Sequence, residues 1–387
     1  MLLLIPGPTP IPDPVRAALA GAAVAHRSPG FEALMRSCCD DLRAIFRTRG
    51  PVLPVTGSGT TAVESAILSS VDPRNPGTVV ACHSGKFGER WGDVAERLRA
   101  LVPALEVVRV EAPWGEPVAP EALARALRQH PNTTVITCVH SETSTGCASD
   151  LEALARTARE HAPDALLIAD CITSVGAMPL EQEAWGVDIA IGASQKAFML
   201  PPGLGFVSVG ARAVERFKER DHCAPLTMDL RAWLRVAETG QAPFTPPTNL
   251  VAGLRAALDL MLAEGVEAIW SRTRAHAAAT RGALEAAGIE VAAALPSDAL
   301  TCIRLPEGVG DEVRTVMRER DGVWLAGGQG PWKGRVVRIS HMGAVTGGDT
   351  VRGVESLLRA LAERSSIDAE AGVRAIHEAL GAEANPA

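Results

Sequence analysis

Three features of the sequence predict an α/β fold built on a doubly wound, mostly parallel sheet. Short β-rich runs recur between residues 78 and 210, with helical patterns between them. Several of these runs are apolar throughout instead of alternating, as strands covered on both faces are. After residue 265 the order becomes helix, strand, helix, strand, helix, which predicts a smaller α+β unit. A chain of 387 residues has room for one large domain and one small one. Its 47% hydrophobic and 21% charged residues supply both a core and a solvated surface.

Taken in order, the chain opens with "MLLLIPGPTPIPDP", an apolar run with no basic segment before it and prolines directly after it. It is not expected to be a signal peptide. "PVTGSGTTAVESAIL" (54–68) passes from a short apolar segment into a helix. Strands are expected at "TVVACHS" (78–84), "TTVITCVHS" (133–141), "ALLIADC" (165–171), "VDIAIGAS" (187–194) and "LGFVSVG" (204–210). The last two follow each other closely, so a hairpin-like, antiparallel pairing is expected there. "DLEALARTAREHA" (150–162) reads as a helix with Asp150 as its N-cap. "TPPTNLVAGLRAALDLMLAEG" (245–265) reads as a long connecting helix. Beyond it come a helix (266–287), a strand (299–305), a helix (311–321), a strand (334–340) and a helix (348–364). The tail reads as a helix that frays at its end. The division expected is an N-terminal arm (1–15), a large domain (16–262) and a small C-terminal α+β domain (263–387).

A net charge of -7, without a basic stripe, argues against nucleic acid or an anionic membrane as partner. No apolar stretch approaches the length that crosses a bilayer. The eight cysteines are scattered, and no Cys-x-x-Cys pair occurs. That pattern predicts reduced thiols in a cytoplasm, with neither a disulfide frame nor a metal site.

Four stretches could carry chemistry. In "GSGTT", Ser58, Gly59 and Thr60 open a helix, where backbone N–H groups and the helix dipole favour an anion such as phosphate. An ordinary capped helix start accounts for the same residues, and the lysine of a P-loop is absent. "LLIADCITS" ends an apolar strand on Asp170, which either caps the next turn or faces a ligand cation. In "VHSETSTG", His140, Glu142, Thr143, Ser144 and Thr145 crowd a strand end, a pattern that a hydrogen-bonded turn also produces. In "GASQKAFMLPPGLG", Lys196 sits between two apolar runs. A lysine there either reaches solvent or, desolvated, becomes an amine nucleophile able to form a Schiff base. Together, a phosphate cradle, a carboxylate for a ring cation and a Schiff-base lysine are what pyridoxal 5′-phosphate requires.

From "PGPTPIP" (6–12) to "VVRISHMG" (336–343), the sequence resembles the class V aminotransferases of the fold-type I pyridoxal-phosphate enzymes. The similarity is to the alanine–glyoxylate and serine–glyoxylate (serine–pyruvate) branch. It implies a fold-type I transferase with a seven-stranded type of sheet flanked by helices. It makes Lys196 the Schiff-base and proton-shuttling residue and Asp170 the partner of the cofactor ring nitrogen. Ile172 and Phe87 would cover the two ring faces, and Thr143 would bond near the ring hydroxyl. Ser58, Gly59, Thr60 and Gln195 would hold the phosphate. Thr245 would reach the phosphate of the neighbouring subunit in a homodimer with shared sites. Arg338 interrupts an apolar strand: it either projects from an edge strand into solvent or, as the resemblance implies, forks onto the substrate α-carboxylate, near the backbone of Gly7. The chain has no tyrosine, where relatives often place one on the phosphate.

The activity so implied is ping-pong transfer of an amino group from alanine or serine to glyoxylate or pyruvate. A related lyase such as a cysteine desulfurase is the alternative, as is a catalytically silent cofactor-binding subunit. Desulfurases need a mobile cysteine in the second half and usually carry histidine before the lysine. Here Gln195 precedes Lys196, and past residue 223 the only cysteine is Cys302, within an expected strand.

Overall fold

The computed structural model describes residues 1–219 and 224–384. Strands β1 (Val52–Thr56), β2 (Thr78–His83), β3 (Glu106–Glu111), β4 (Thr133–Val139), β5 (Leu166–Asp170), β6 (Ile189–Ala193) and β7 (Leu204–Val209) form one seven-stranded sheet. Their order is β1-β7-β6-β5-β4-β2-β3. The pairings from β2 to β6 are parallel, while β7 runs antiparallel to both β6 and β1. The expected hairpin-like pair is therefore present, with Phe206 opposite Gly192. Because only β7 is reversed, the carboxyl ends of the other strands share one sheet edge, where ligands of such folds collect.

Helices α1 (Gly59–Ser70), α2 (Lys86–Leu98) and α3 (Leu151–His161) follow β1, β2 and β4. Asp150 caps α3 as expected, its Oδ1 accepting from Ala153 N at 2.9 Å. Helix α4 (Thr248–Glu264) leads into α5 (Val266–Ala286). Beyond them, β8 (Leu300–Arg304), β9 (Ala326–Gly327) and β10 (Val336–Ser340) form an antiparallel sheet with β10 in the middle. Helices α6 (Gly347–Ala362) and α7 (Ala369–Ala384) complete this part. The helix expected over 311–321 is an α-helix (Glu312–Val316) that widens into a π-helix (Met317–Asp321).

The two largest apolar clusters belong to different parts of the chain, although the first also takes in Val266 and Ile269 of α5. One surrounds the large sheet; the other gathers residues of α5, α6, α7 and the small sheet. Leu2 and Leu4 of the N-terminal arm belong to the second core, and Leu2–Leu3 pairs in parallel with Val323–Trp324. The arm then crosses to the edge of the large sheet. The described cysteines are buried and unpaired, and Cys223 lies outside the described residues. No described helix is long and apolar enough to cross a membrane.

Candidate active site

The carboxyl-edge loops enclose a cavity lined by Ser58, Gly59 and Thr60 after β1, Phe87 and Arg90 on α2, and Ser141 and Thr143 after β4. Asp170, Ile172 and Thr173 close it at the end of β5, and Gln195 and Lys196 beyond β6. Nine of the twelve residues expected at a site thus face one space. Asp170 to Lys196 span adjacent parallel strands, which is why residues far apart in sequence meet.

Lys196 is buried, and its ammonium donates to the carbonyl of Pro6. Burial, then the Arg338 guanidinium, lowers its pKa to about 8, against the opposing pull of Asp170 and Glu142. The arm straps this lysine in place. Thr9 Oγ1 donates to the Lys196 carbonyl at 2.7 Å and Thr9 N to the Gln195 carbonyl at 3.1 Å. Gly7, at a φ of 120°, lies so close that a Cβ there would sit 2.8 Å from Lys196 Cδ. Gly7 is required to be glycine by both conformation and space.

Asp170 is also buried. Its Oδ1 accepts from Ile172 N at 3.0 Å and its Oδ2 from the Trp91 indole at 3.1 Å. Burial raises its pKa to about 6, while those two hydrogen bonds oppose the rise. The turn-capping reading of Asp170 is true in part, since Oδ1 serves its own turn, but the residue also lines the cavity.

The same holds for "GSGTT". Ser58 is the N-cap of α1 in a capping box with Thr61, an ordinary helix start. The Thr61 and Ala62 N–H groups are taken by Ser58, and those of Gly59 and Thr60 belong to the turn that has no intrahelical acceptor. The Gln195 amide oxygen is buried without a partner, so turning the amide would present its N–H groups.

Arg338 lies on the middle strand of the small sheet, not on an edge, and is buried. Nε and Nη2 donate to Gly327 O at 3.0 and 2.7 Å, and Nη1 to Thr143 O at 2.8 Å. These bonds occupy three of five donors and fix the plane, leaving one N–H on each Nη as a fork. Thr143, whose hydroxyl is 2.5 Å from that of Thr173, thereby links Arg338 to the cavity wall. Thr245 is exposed on the segment before α4 and does not line the cavity of its own chain.

Arg90, Trp91, Thr173 and the arm residues Pro6 and Thr9 were not read from sequence. A signal for two of them existed: 87, 90 and 91 are i, i+3 and i+4, one face of a helix. Glu142 was seen only as part of a crowded turn. In the fold its carboxylate accepts from Phe87 N, Gly88 N and Ser144 N, and so holds the start of α2 against the cavity.

Comparison with known proteins sets this geometry in a family. The family model described as aminotransferase class-V matches residues 19–351. The soluble hydrogenase small subunit of Synechococcus sp. is 39% identical, over 94% of this chain and 93% of that protein. The serine–glyoxylate aminotransferase of Methylorubrum extorquens is 35% identical, over 88% of this chain and 86% of its own. Among solved structures, the aspartate aminotransferase of subgroup IV from Thermus thermophilus has a TM-score of 0.86 at 35% identity, covering 94% of this chain and 99% of that one. The family match takes in the sheet edge bearing Asp170 and Lys196 as well as the strand bearing Arg338, and the chain belongs to the class V aminotransferases.

Proposed function

We propose that this aminotransferase works with pyridoxal 5′-phosphate and moves an amino group from serine or alanine to glyoxylate or pyruvate. The observation that carries the reading is one cavity lined by both a buried lysine with a lowered pKa and a buried carboxylate. The residues present fit the cofactor. Ser58, Gly59, Thr60 and Gln195, with Thr245 of a second subunit in a homodimer, would hold its phosphate. Phe87 and Ile172 would cover its ring faces, Thr143 would bond near its hydroxyl, and Asp170 would face its ring nitrogen. When bound, the cofactor accepts the electron pair released as the substrate Cα–H bond breaks, and carries the amino group between half-reactions.

The protein's own part follows from its geometry. The free fork of Arg338 takes the substrate α-carboxylate, an arrangement a point charge reproduces poorly. That contact orients the amino acid with its Cα toward Lys196. Near neutral pH, a lysine held at about pH 8 releases its proton far more readily than one in water. Lys196 Nζ can then take the Cα proton in one half-reaction and return a proton to Cα in the other. The strap of Pro6, Gly7 and Thr9 packs against the lysine and contributes to its burial.

A cytoplasmic location is part of this proposal, supported by the unpaired thiols among the described residues. The desulfurase alternative finds no support in Cys302: that thiol is fully buried in β8, with its pKa raised to about 12.

The test is a set of half-reactions in which each amino acid is added singly and the loss of cofactor absorption is followed. Serine and alanine should react, with glyoxylate or pyruvate reversing the change. A response to aspartate alone would overturn the donor assignment, and sulfide release from cysteine would favour the lyase. Arg338→Ala should raise the amino-acid KM about 100-fold, the worth of a charged, two-pronged hydrogen bond, and leave cofactor binding intact. Arg338→Lys should recover little of the loss. An unchanged KM in both variants would reduce Arg338 to its bonds with Gly327 and Thr143.

A further inference from the structure

Arg90 is a cation that its own chain leaves incompletely paired. It is half-buried on the first turns of α2 and lines the cavity. Its guanidinium lies 5.2 Å from the centre of the Phe87 ring, and Nη1 donates to Thr60 Oγ1 at 2.9 Å. Among the described residues it makes no other hydrogen bond, and no carboxylate lies within ion-pair distance. The acidic side chains around it are engaged elsewhere: Glu89 by Lys86 at 2.9 Å, and Asp93 by Arg109 at 2.8 Å. Asp170 and Glu142 are occupied by the bonds already described. A guanidinium with five donors and one hydrogen bond, held by an aromatic face at the wall of a cavity, is poised for an anion.

The position of that anion is set by Thr60. Its hydroxyl belongs to the first turn of α1, where the N–H groups of Gly59 and Thr60 also lack intrahelical partners. Arg90 and the α1 N-terminus therefore converge on one point. Lys196, the other cation lining the cavity, is committed to the reacting amine. Arg338 is held by Gly327 and Thr143, on the side assigned to the substrate carboxylate.

We propose that Arg90 is the cationic partner of the cofactor phosphate, clamping it against the first turn of α1 through Thr60. This assignment rests on the reading that the cavity holds pyridoxal 5′-phosphate. It makes the recognition of the phosphate partly a matter of charge, and it ties that recognition to Phe87, since the same helical turn presents both residues.

Apoprotein binding of pyridoxal 5′-phosphate and of pyridoxal, which lacks only the phosphate, separates the possibilities. Equilibrium titrations should be run on the wild type, Arg90→Gln and Arg90→Lys, with no amino acid present. Arg90→Gln should weaken pyridoxal 5′-phosphate binding about 10- to 100-fold, the worth of a charge-assisted hydrogen bond, and leave pyridoxal binding unchanged. Arg90→Lys should fall between, keeping the charge without the fork. Equal weakening of both ligands would make Arg90 a structural residue and overturn the proposal. Unchanged binding of the phosphate ester, with a raised amino-acid KM, would overturn it in favour of a substrate contact. Failure of the wild type to bind pyridoxal 5′-phosphate at all would instead refute the cofactor reading on which the proposal stands.

Discussion

Lys196→Ala should abolish amino transfer, lowering kcat by about 10³-fold or more, because the proposed function makes Lys196 both the attacking amine and the proton carrier. The other lysines of the chain, Lys86, Lys218 and Lys333, are exposed, so no second buried amine can substitute. Borohydride treatment of the wild type should fix the cofactor to the protein, and the peptide recovered should contain Lys196. The Ala variant should bind the cofactor without fixing it. Lys196→Arg serves as the control for charge. It keeps a cation in the cavity but cannot give up its proton near neutral pH, so it should be as inactive as Ala. Activity in the Arg variant would mean that a fixed charge was the requirement. Fixation at another residue would remove Lys196 from the chemistry altogether.

What could be read from sequence divides along a physical line. Strands β2, β4, β5, β6 and β7 announce themselves because they are buried on both faces and must be apolar almost throughout. Strand β3, "EVVRVE", escaped notice because it lies at the sheet edge and is largely half-exposed, which dilutes the signal. Helix α2 was not anticipated either. It starts at Gly85, which offers no side-chain cap, and its N-terminus is satisfied instead by Glu142 from another part of the chain.

The site follows the same division. Lys196 and Asp170 stand out because a charge flanked by core strands needs a reason. Arg90 and Trp91 look like any residues of an amphipathic helix until the fold sets Arg90 on the cavity wall and Trp91 against Asp170. The strap over Lys196 was the least legible part. Nothing near Pro6 or Thr9 signals a partner nearly 190 positions away. Gly7, expected near the substrate, packs directly against the lysine.

Asp170→Asn should lower kcat by about 10²- to 10³-fold with little change in KM, because in the proposed function Asp170 supplies a full negative charge to the cofactor's ring nitrogen. The amide cannot imitate the carboxylate here. Both Asp170 oxygens are acceptors, one for the Ile172 N–H and one for the Trp91 indole, and an amide offers a single acceptor oxygen. One of those donors must then face the amide N–H2 in a buried setting, so Trp91 should shift and its fluorescence with it. The pH dependence gives an independent check. In the unliganded protein Asp170 is ionised above about pH 6 and protonated below it, since burial raises its pKa. Cofactor affinity of the wild type should therefore weaken as pH falls through about 6. The ratio of wild-type to Asn-variant affinity cancels the ligand's own titration, and it should decline over the same range. A ratio that stays flat, together with an unchanged kcat, would leave Asp170 as no more than the cap of its own turn.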